Sequence, residues 1–342
     1  MVNILVITFI VTSMLSLFPY ELNQKFKKGE NVIFYLLGLL LFIIAGFRSK
    51  GIDRDYLSYV NWFENARDNV ELSFQIISDT IKKLGGDSIY LFILYALLGI
   101  STKFFAIKKM SAFPLLCILV YIGYLYPLQE LTQIRAGVAT GFILLSIYQK
   151  INQKILYSIF FMGCAIFFHY SSLIVIPILF FNPNNFNKLF YSAAIILSYW
   201  GSIYLSAIIE SVMDYLPAII KWKIMAYGRE TGAELNIFNG WQLIRVGVAF
   251  FMIFNIDKLS KFNSSYQFLL KIYVIGICSY TLFSFNPVFA VRISDLFFVV
   301  DLILLPALCH LFPVKSLPKI IVITICALFL FLQVSYIGIF SN

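Results

Sequence analysis

The sequence LLLFIIAGFRSKGIDRDYLSYVNWF, residues 39–63, passes directly from an apolar run into a cluster of charges. Its apolar part has the composition of a membrane helix, and Arg48, Asp53, Arg54 and Asp55 follow that part within a few residues. Charged side chains are costly in a bilayer unless they pair, line a wet cavity or lie at the membrane surface. The stretch therefore predicts a membrane helix that ends at a polar surface.

Apolar runs of this kind recur along the whole chain. Of its 342 residues, 61% are hydrophobic and only 13% are charged, and the mean hydropathy is +0.87. A helical crossing needs about 20 such residues. The composition predicts a single all-α, polytopic integral membrane domain over residues 1–342, with about twelve transmembrane helices. The runs fall at roughly residues 3–20, 31–47, 88–107, 112–127, 133–149, 155–168, 170–181, 189–209, 241–256, 266–285, 288–311 and 318–340.

The sequence has no signature of a metal or cofactor site. The five cysteines lie far apart inside apolar runs, without a CxxC pair, which is typical of small core residues. No cluster with metal-ligand spacing stands out, and there is no P-loop, GxGxxG or GxSxG motif. We predict a metal-independent protein without a cofactor, and the absence of a basic, aromatic-rich polar segment argues against nucleic acid as a partner.

The lysines predict the orientation of the chain. If FFHYSSLIV, residues 167–175, is the tip of a hairpin between two crossings, the short lysine-rich loops and the helix ends beside them all fall on one side. The positive-inside rule makes that side cytoplasmic and places both termini outside. The lysines concerned are Lys25, Lys27, Lys28, Lys103, Lys108, Lys109, Lys150, Lys154, Lys188, Lys258, Lys261, Lys271, Lys315 and Lys319.

The same topology places every arginine on the opposite, outer side. The positive-inside rule does not separate arginine from lysine, so the division needs another cause. Arginine presents a rigid fork of donors that matches phosphate and carboxylate oxygens. The pattern predicts an outward-facing anion site. The arginines are Arg48, Arg54, Arg67, Arg135, Arg229, Arg245 and Arg292.

The two longest polar stretches, residues 48–87 and 210–240, are predicted to be loops on that outer side. Long loops that persist in a compact protein commonly carry function. In the first loop, the aromatic residues at positions 56, 59, 62 and 63 have the spacing of an amphipathic helix lying on the membrane surface. Two interpretations stay open for these rings, an interfacial aromatic belt and stacking on sugar rings.

Further polar groups lie at predicted helix ends on this side. YPLQELTQIRAGVATG, residues 126–141, is predicted to break at Pro127 and restart near Thr132. The candidate site residues from these ends are Glu130, Gln133, Arg135, His169, Tyr170, Arg245 and Arg292.

Structural roles remain open for three of these candidates. Arg48 could complement a helix dipole, Arg292 could form an ion pair with Asp295 three residues later, and His169 could be structural.

This collection of groups suits the transfer of a group from a diphosphate. As the bond to the diphosphate breaks, negative charge builds on the departing oxygens, and fixed arginines stabilise it. The acceptor hydroxyl needs a base, for which His169 and Glu130 are the candidates.

Four segments resemble the EpsG-like branch of the Wzy polysaccharide polymerases, and they occur in the same order as in that family. They are GFRSKGIDRDYLSYVNWF (46–63), QIRAGVATGFILLS (133–146), FFHYSSLIVIPI (167–178) and FAVRISDLFFVVDLILLP (289–306). Arg48, Arg135, His169 and Arg292 stand at the matching positions. Because GIDRD holds two acidic residues, either Asp53 or Asp55 could fill the family's acidic position.

The resemblance implies a bacterial inner-membrane polymerase with its active face in the periplasm. Its substrates would be undecaprenyl-diphosphate-linked oligosaccharides, and it would lengthen an O-antigen, capsule or exopolysaccharide, with a chain-length regulator as a possible partner. Two alternatives from other classes are a lipid-linked oligosaccharide flippase and a membrane O-antigen ligase or acyltransferase. A transporter tends to show repeated halves and midplane charges, whereas most charges here gather at one predicted face.

Overall fold

A computed structural model describes residues 2–20, 24–49, 53–65, 70–212, 215, 235–314 and 316–336. These residues are helical, with no β-strand among them, which confirms the all-α prediction for this part of the chain. Within the described ranges, four helices are long and apolar enough to cross a membrane, which is compatible with a membrane protein. The number of crossings stays a prediction. The four helices are Gln24–Gly46, Ser88–Met110, Pro114–Thr132 and Ser316–Ser335.

The chain divides into two compact units. The first unit contains Met1–Leu179 and Asp301–Asn342, and the second contains Phe180–Val300. The α-helices of the first unit are α1 (Val2–Leu17), α2 (Gln24–Gly46), α3 (Tyr56–Glu64), α4 (Leu72–Lys83), α5 (Ser88–Met110), α6 (Pro114–Val120), α7 (Ile134–Ile151) and α8 (Ile155–Phe168), and after the second unit α14 (Asp301–Ala307) and α15 (Ser316–Phe331). Those of the second unit are α9 (Lys188–Val212), α10 (Gly240–Phe254), α11 (Ile256–Phe262), α12 (Ser265–Leu282) and α13 (Pro287–Phe297).

Small and polar residues bring the helices of the first unit together. Ser146 on α7 and Ser158 on α8 exchange hydrogen bonds of 2.7 and 2.9 Å with each other's backbone carbonyls. On the outer surface of α8, Leu156 and Phe160 are 78% and 62% exposed. Helices that pack within lipid are expected to place small and polar residues between them and large apolar residues on the outside.

The helix that begins with α6 changes geometry instead of breaking at Pro127. A π-helical stretch, Tyr121–Thr132, continues α6 and contains Pro127. The chain breaks at Gln133, where φ is −89° and ψ is 58°, and α7 starts at Ile134. The predicted break at Pro127 is therefore wrong, because the wider π-helix accommodates a residue that lacks an N–H donor.

The helix break predicted around His169 is present. Helix α8 ends at Phe168, His169 has an extended backbone with φ −154° and ψ 106°, and a 3₁₀-helix follows over Tyr170–Phe180. His169 therefore lies at the junction of the two helices. The hairpin between two crossings stays a prediction.

The described part of the segment 48–87 contains two helices, α3 and α4. The helix predicted for the aromatic residues is present as α3, and the outward position of the segment stays a prediction. Most of the second predicted loop, 210–240, lies outside the described residues.

Candidate functional site

The aromatic face of α3 packs inward. Tyr56 stacks on Phe92 of α5 with ring centroids 4.8 Å apart, and Tyr59 lies 6.1 Å from Phe74 of α4. Tyr56, Tyr59 and Phe63 are only 3 to 5% exposed. Neither interpretation of these three rings is therefore correct: they form neither an exposed aromatic belt nor an open platform for sugars, because α4 and α5 cover the face that sequence spacing identifies.

Glu71, immediately before α4, joins two predicted site residues. Its Oε1 lies 3.1 Å from Nδ1 of His169, and its Oε2 accepts a hydrogen bond from Nη1 of Arg135. Arg135 lies in the first turn of α7, and His169 follows the last residue of α8. One carboxylate therefore connects the start of α4 to α7 and α8. We call Glu71, Arg135 and His169 the Glu71 cluster.

The surroundings of Glu71 keep its carboxylate ionised. Burial alone would raise its pKa, but the hydrogen bond with His169 and the charge of Arg135 outweigh burial and lower the pKa to about 2. At neutral pH the group is thus an acceptor only. Because it pairs with Arg135, this charge is tolerated although the side chain is only 7% exposed.

Arg135 and His169 remain partly accessible, with side chains 18% and 17% exposed. The guanidinium of Arg135 lies over two rings of α3, with its Cζ 4.8 Å from the Trp62 centroid and 5.7 Å from the Tyr59 centroid. Tyr59, a predicted substrate residue, supports Arg135 from the buried side. Such cation–π contacts fix the plane of a guanidinium while leaving its edge available to anions.

Tyr170, the residue that follows His169, contacts the beginning of α4 next to Glu71. The hydroxyl of Tyr170 accepts a hydrogen bond of 3.0 Å from the backbone N–H of Leu72, the residue after Glu71. This contact fastens the beginning of the 3₁₀-helix to the beginning of α4. The predicted residue Tyr170 therefore lies beside the Glu71 cluster.

Arg48, by contrast, is a buried connection between elements. Its Nη1 lies 3.7 Å from Oδ2 of Asp53 and donates to the backbone carbonyls of Glu130, at 3.1 Å, and Leu131. Its Cζ lies 4.2 Å from the Phe92 centroid, and its side chain is not exposed. Arg48 therefore supplies donors to carbonyls at the end of the π-helical stretch, where helical partners are missing. The structure shows no open face of this guanidinium for a diphosphate.

The pairing also distinguishes the two acidic residues of GIDRD. Asp53 faces Arg48 and accepts a hydrogen bond of 3.0 Å from the backbone N–H of Asp55. Burial raises the pKa of Asp53, and Arg48 opposes this rise. Asp53 thus forms the buried pair, Asp55 is half-buried and the side chain of Arg54 is exposed.

Glu130 is also buried and already has a partner. Its Oε1 lies 2.5 Å from Nζ of Lys103, which also donates to the carbonyl of Gly137 at 2.6 Å. Gly99 and Gly137 leave room for the carboxylate, since a Cβ would lie 3.0 Å from its Cδ at Gly99 and 3.1 Å from its Oε2 at Gly137. A buried, salt-bridged carboxylate of this kind is poorly suited to take a proton from a substrate.

The position of Lys103 differs from the one predicted from the sequence. The sequence grouped it with cytoplasmic loops and helix ends, but it lies within α5, seven residues before Met110, or about 10 Å along the axis. It is fully buried. Its charge pairs with Glu130 inside the first unit, so it does not contribute to the positive-inside signal.

The second unit contains Arg245 and Arg292. Arg245 on α10 is buried, with its Cζ 3.5 Å from the Phe298 centroid and 5.4 Å from the Trp241 centroid. Arg292 on α13 is exposed, whereas Asp295 is buried. Gln133 in the first unit is half-buried, and Arg67 and Arg229 lie outside the described residues.

Within the described ranges, no group of three or more His, Cys, Asp or Glu residues could hold a metal ion. The cysteines of this part are free, and three of them are buried. Metal independence stays a prediction about the reaction.

A comparison with family profiles gives a match to EpsG over residues 31–341, nearly the whole chain. The chain belongs to the EpsG family. EpsG is a Wzy-like polymerase family, and membership together with the apolar helices indicates a membrane-embedded protein. No curated protein and no solved structure matches the chain.

In this EpsG protein, the residues that carry the resemblance occupy different environments. Arg135 and His169 meet at the Glu71 cluster, and Arg48 is a buried connection in the same unit. Sequence reasoning missed Glu71 and did not recognise Lys103 as the partner of Glu130. For Glu71 the only signal was an isolated acid directly before the amphipathic segment 72–83, which did not identify its partners.

Proposed function

We propose that this EpsG protein is a polysaccharide polymerase. It transfers a growing O-antigen, capsule or exopolysaccharide chain from undecaprenyl diphosphate to a new lipid-linked repeat unit. The observation that supports this most strongly is the partly exposed pair of Arg135 and His169 on one carboxylate, Glu71. An arginine for a diphosphate and an imidazole for a hydroxyl are the two groups that such a transfer needs.

The proposed step is a direct displacement. The acceptor hydroxyl oxygen forms a bond to the anomeric carbon of the donor, and the bond from that carbon to the diphosphate oxygen breaks. His169 takes the hydroxyl proton, and the diphosphate leaves with the bonding electron pair. Arg135 stabilises the charge that develops on the diphosphate, where its fixed guanidinium needs no reorganisation.

The remaining candidates have secondary roles in this proposal. Arg48 with Asp53, and Lys103 with Glu130, hold the junction from which Arg135 projects. Of the two candidate bases, His169 is therefore the proposed one. Beside the Glu71 cluster in the first unit, the further proposed substrate contacts are Arg54, Asp55, Gln133 and Tyr170. Arg229, Arg245 and Arg292 stay predicted substrate residues of the sequence.

We further propose that the reaction needs no metal and occurs at the periplasmic face of a bacterial inner membrane. The supporting argument is the separation of arginines from most lysines under the positive-inside rule. About twelve crossings over residues 1–342 would form one polymerase domain. The bilayer, the lipid-linked oligosaccharide and a chain-length regulator are the proposed partners.

A surface-polysaccharide gel of a deletion strain tests this proposal. The strain is complemented with wild type, Arg135→Ala, His169→Ala or Arg292→Ala, and membrane levels are compared by blot. Lys83→Ala is a matched control, since it removes an exposed cation from α4.

We expect the deletion to show a single repeat unit, the control to restore the ladder, and Arg135→Ala and His169→Ala to fail at normal expression. Normal ladders from all three variants would refute the proposed site. Absence of any surface repeat unit in the deletion would indicate a flippase or a ligase instead.

A further inference from the structure

The Glu71 cluster contains a carboxylate–imidazole pair in the geometry that orients a general base. Oε1 of Glu71 lies 3.1 Å from Nδ1 of His169, whereas Nε2 of His169 makes no hydrogen bond within the part of the chain that the structure describes. The side chain of His169 keeps 17% of its surface exposed. One ring nitrogen is therefore held by the protein, and the other is available.

The chemistry of the carboxylate decides which nitrogen carries the proton. An ionised carboxylate only accepts hydrogen bonds, so the Nδ1 atom that faces it must donate. In a neutral imidazole with a proton on Nδ1, the lone pair lies on Nε2. Arg135 bonds the second carboxylate oxygen of Glu71 and thereby keeps the group charged.

We propose that Glu71 is a positioning residue that holds His169 as the Nδ1–H tautomer, so that Nε2 is the atom that accepts the proton of the acceptor hydroxyl. The catalytic part of this inference rests on the proposed function, whereas the tautomer does not. Glu71 also holds Arg135, so the same carboxylate sets the position of both groups. Neither side chain could then move without disturbing the other.

Nitrogen-15 NMR of the full-length protein in nanodiscs tests the tautomer directly. The chain has only two histidines, His169 and His310, so labelling histidine alone gives the ring-nitrogen signals of two imidazoles, and His310→Gln assigns them. We expect His169 at neutral pH to show a protonated Nδ1 and an unprotonated Nε2. A proton on Nε2 alone, or on both nitrogens, would overturn the proposal without any variant of Glu71.

Two variants separate positioning from simple packing. Glu71→Gln keeps the side-chain shape but adds an amide that can donate to Nδ1, so we expect the Nδ1–H population to fall. Glu64→Gln is the matched control, because Glu64 has an exposed side chain at the end of the neighbouring α3. It should leave the His169 signals unchanged. An unchanged tautomer in well-folded Glu71→Gln protein would contradict the role of Glu71.

Polymerisation by the same samples connects the tautomer to the reaction. A general base contributes about 10²- to 10⁴-fold, so a loss of tens- to thousands-fold is expected for Glu71→Gln. Glu71→Asp should lose less activity than Glu71→Gln, because it keeps a carboxylate. If wild type shows the Nδ1–H tautomer but neither variant of Glu71 nor His169→Gln affects polymerisation, the pair is real and the proposed catalytic role of His169 is wrong. Wild type that does not polymerise at all would refute the proposed function. If His169 has the other tautomer but the variants still lower the polymerisation rate, the positioning role of Glu71 is refuted and the proposed function is not.

Discussion

Removing one member of the buried Lys103–Glu130 pair should strongly destabilise the first unit. Both side chains are inaccessible, their charged atoms are 2.5 Å apart, and Lys103 also donates to the carbonyl of Gly137 at 2.6 Å. Lys103→Met leaves the Glu130 carboxylate buried without its cation. Breaking a buried ion pair on one side costs about 3 to 5 kcal/mol. Because about 1.4 kcal/mol corresponds to tenfold, the unfolded population should rise by about two to three and a half orders of magnitude.

The double variant Lys103→Met/Glu130→Gln shows whether the charge causes this loss. With both charges removed, no buried ion remains unpaired, and the glutamine keeps the shape of the carboxylate. We expect the double variant to recover more than half of the loss caused by Lys103→Met. A double-mutant cycle on the free energy of unfolding in detergent, with Glu130→Gln as the fourth corner, measures this coupling.

A matched control removes a lysine that lacks a buried partner. Lys83→Met at the end of α4 should change the unfolding free energy by about 0.5 kcal/mol or less, since its side chain is exposed. Lys103→Met protein as stable as wild type would refute the reasoning. So would a double variant destabilised by the sum of the two single changes, because the pair would then have no coupling energy.

Three further predictions concern the neighbourhood of the Glu71 cluster. The pKa of Glu71 is lowered in the folded protein from 4.5 to about 2, so its contribution to stability is fully present above pH 4.5 and is lost as the pH falls toward 2. In acid unfolding, the stability of wild type should therefore fall by this contribution within that pH window, and the stability of Glu71→Gln should not. Parallel curves of stability against pH would contradict the shift. Gly99→Ala should destabilise the protein by about 1 to 3 kcal/mol in thermal unfolding, because its methyl group would overlap the Glu130 carboxylate; an unchanged melting temperature would argue against this packing. Trp62→Leu should reduce polymerisation in the gel assay at normal expression, because Arg135 loses the ring at 4.8 Å, a contact of about 0.5 to 2 kcal/mol; a full ladder would show that the ring does not position Arg135.

Periodicity predicted helices well but not the surfaces they bury. The spacing of aromatic residues in 56–63 identifies α3 and its apolar side, and the structure has that helix at Tyr56–Glu64. An apolar helix face can meet either lipid or protein, and the choice depends on α4 and α5, which the local sequence does not contain. The proline at 127 illustrates a related limit, since a π-helix can absorb it.

The sequence identified the residues of the candidate site better than their partners. Arg135 and His169 were both singled out, yet Glu71, which holds them together, is 64 and 98 residues away from them along the chain. Such long-range pairs leave no local pattern. Arg48 shows the opposite failure, because a charge next to a membrane helix suggests a functional surface even when the side chain is buried and its Nη1 donates to backbone carbonyls.

The most direct test of the central claim uses purified protein in liposomes with one defined lipid-linked repeat unit as both donor and acceptor. Wild type should produce a ladder of longer glycans, each still attached to a single lipid diphosphate, and free undecaprenyl diphosphate should appear once per bond formed. His169→Gln and Arg135→Ala, folded to the same extent, should produce no ladder within the time that wild type needs for several additions. A ladder at the wild-type rate from both variants would show that the Glu71 cluster does not carry out the transfer.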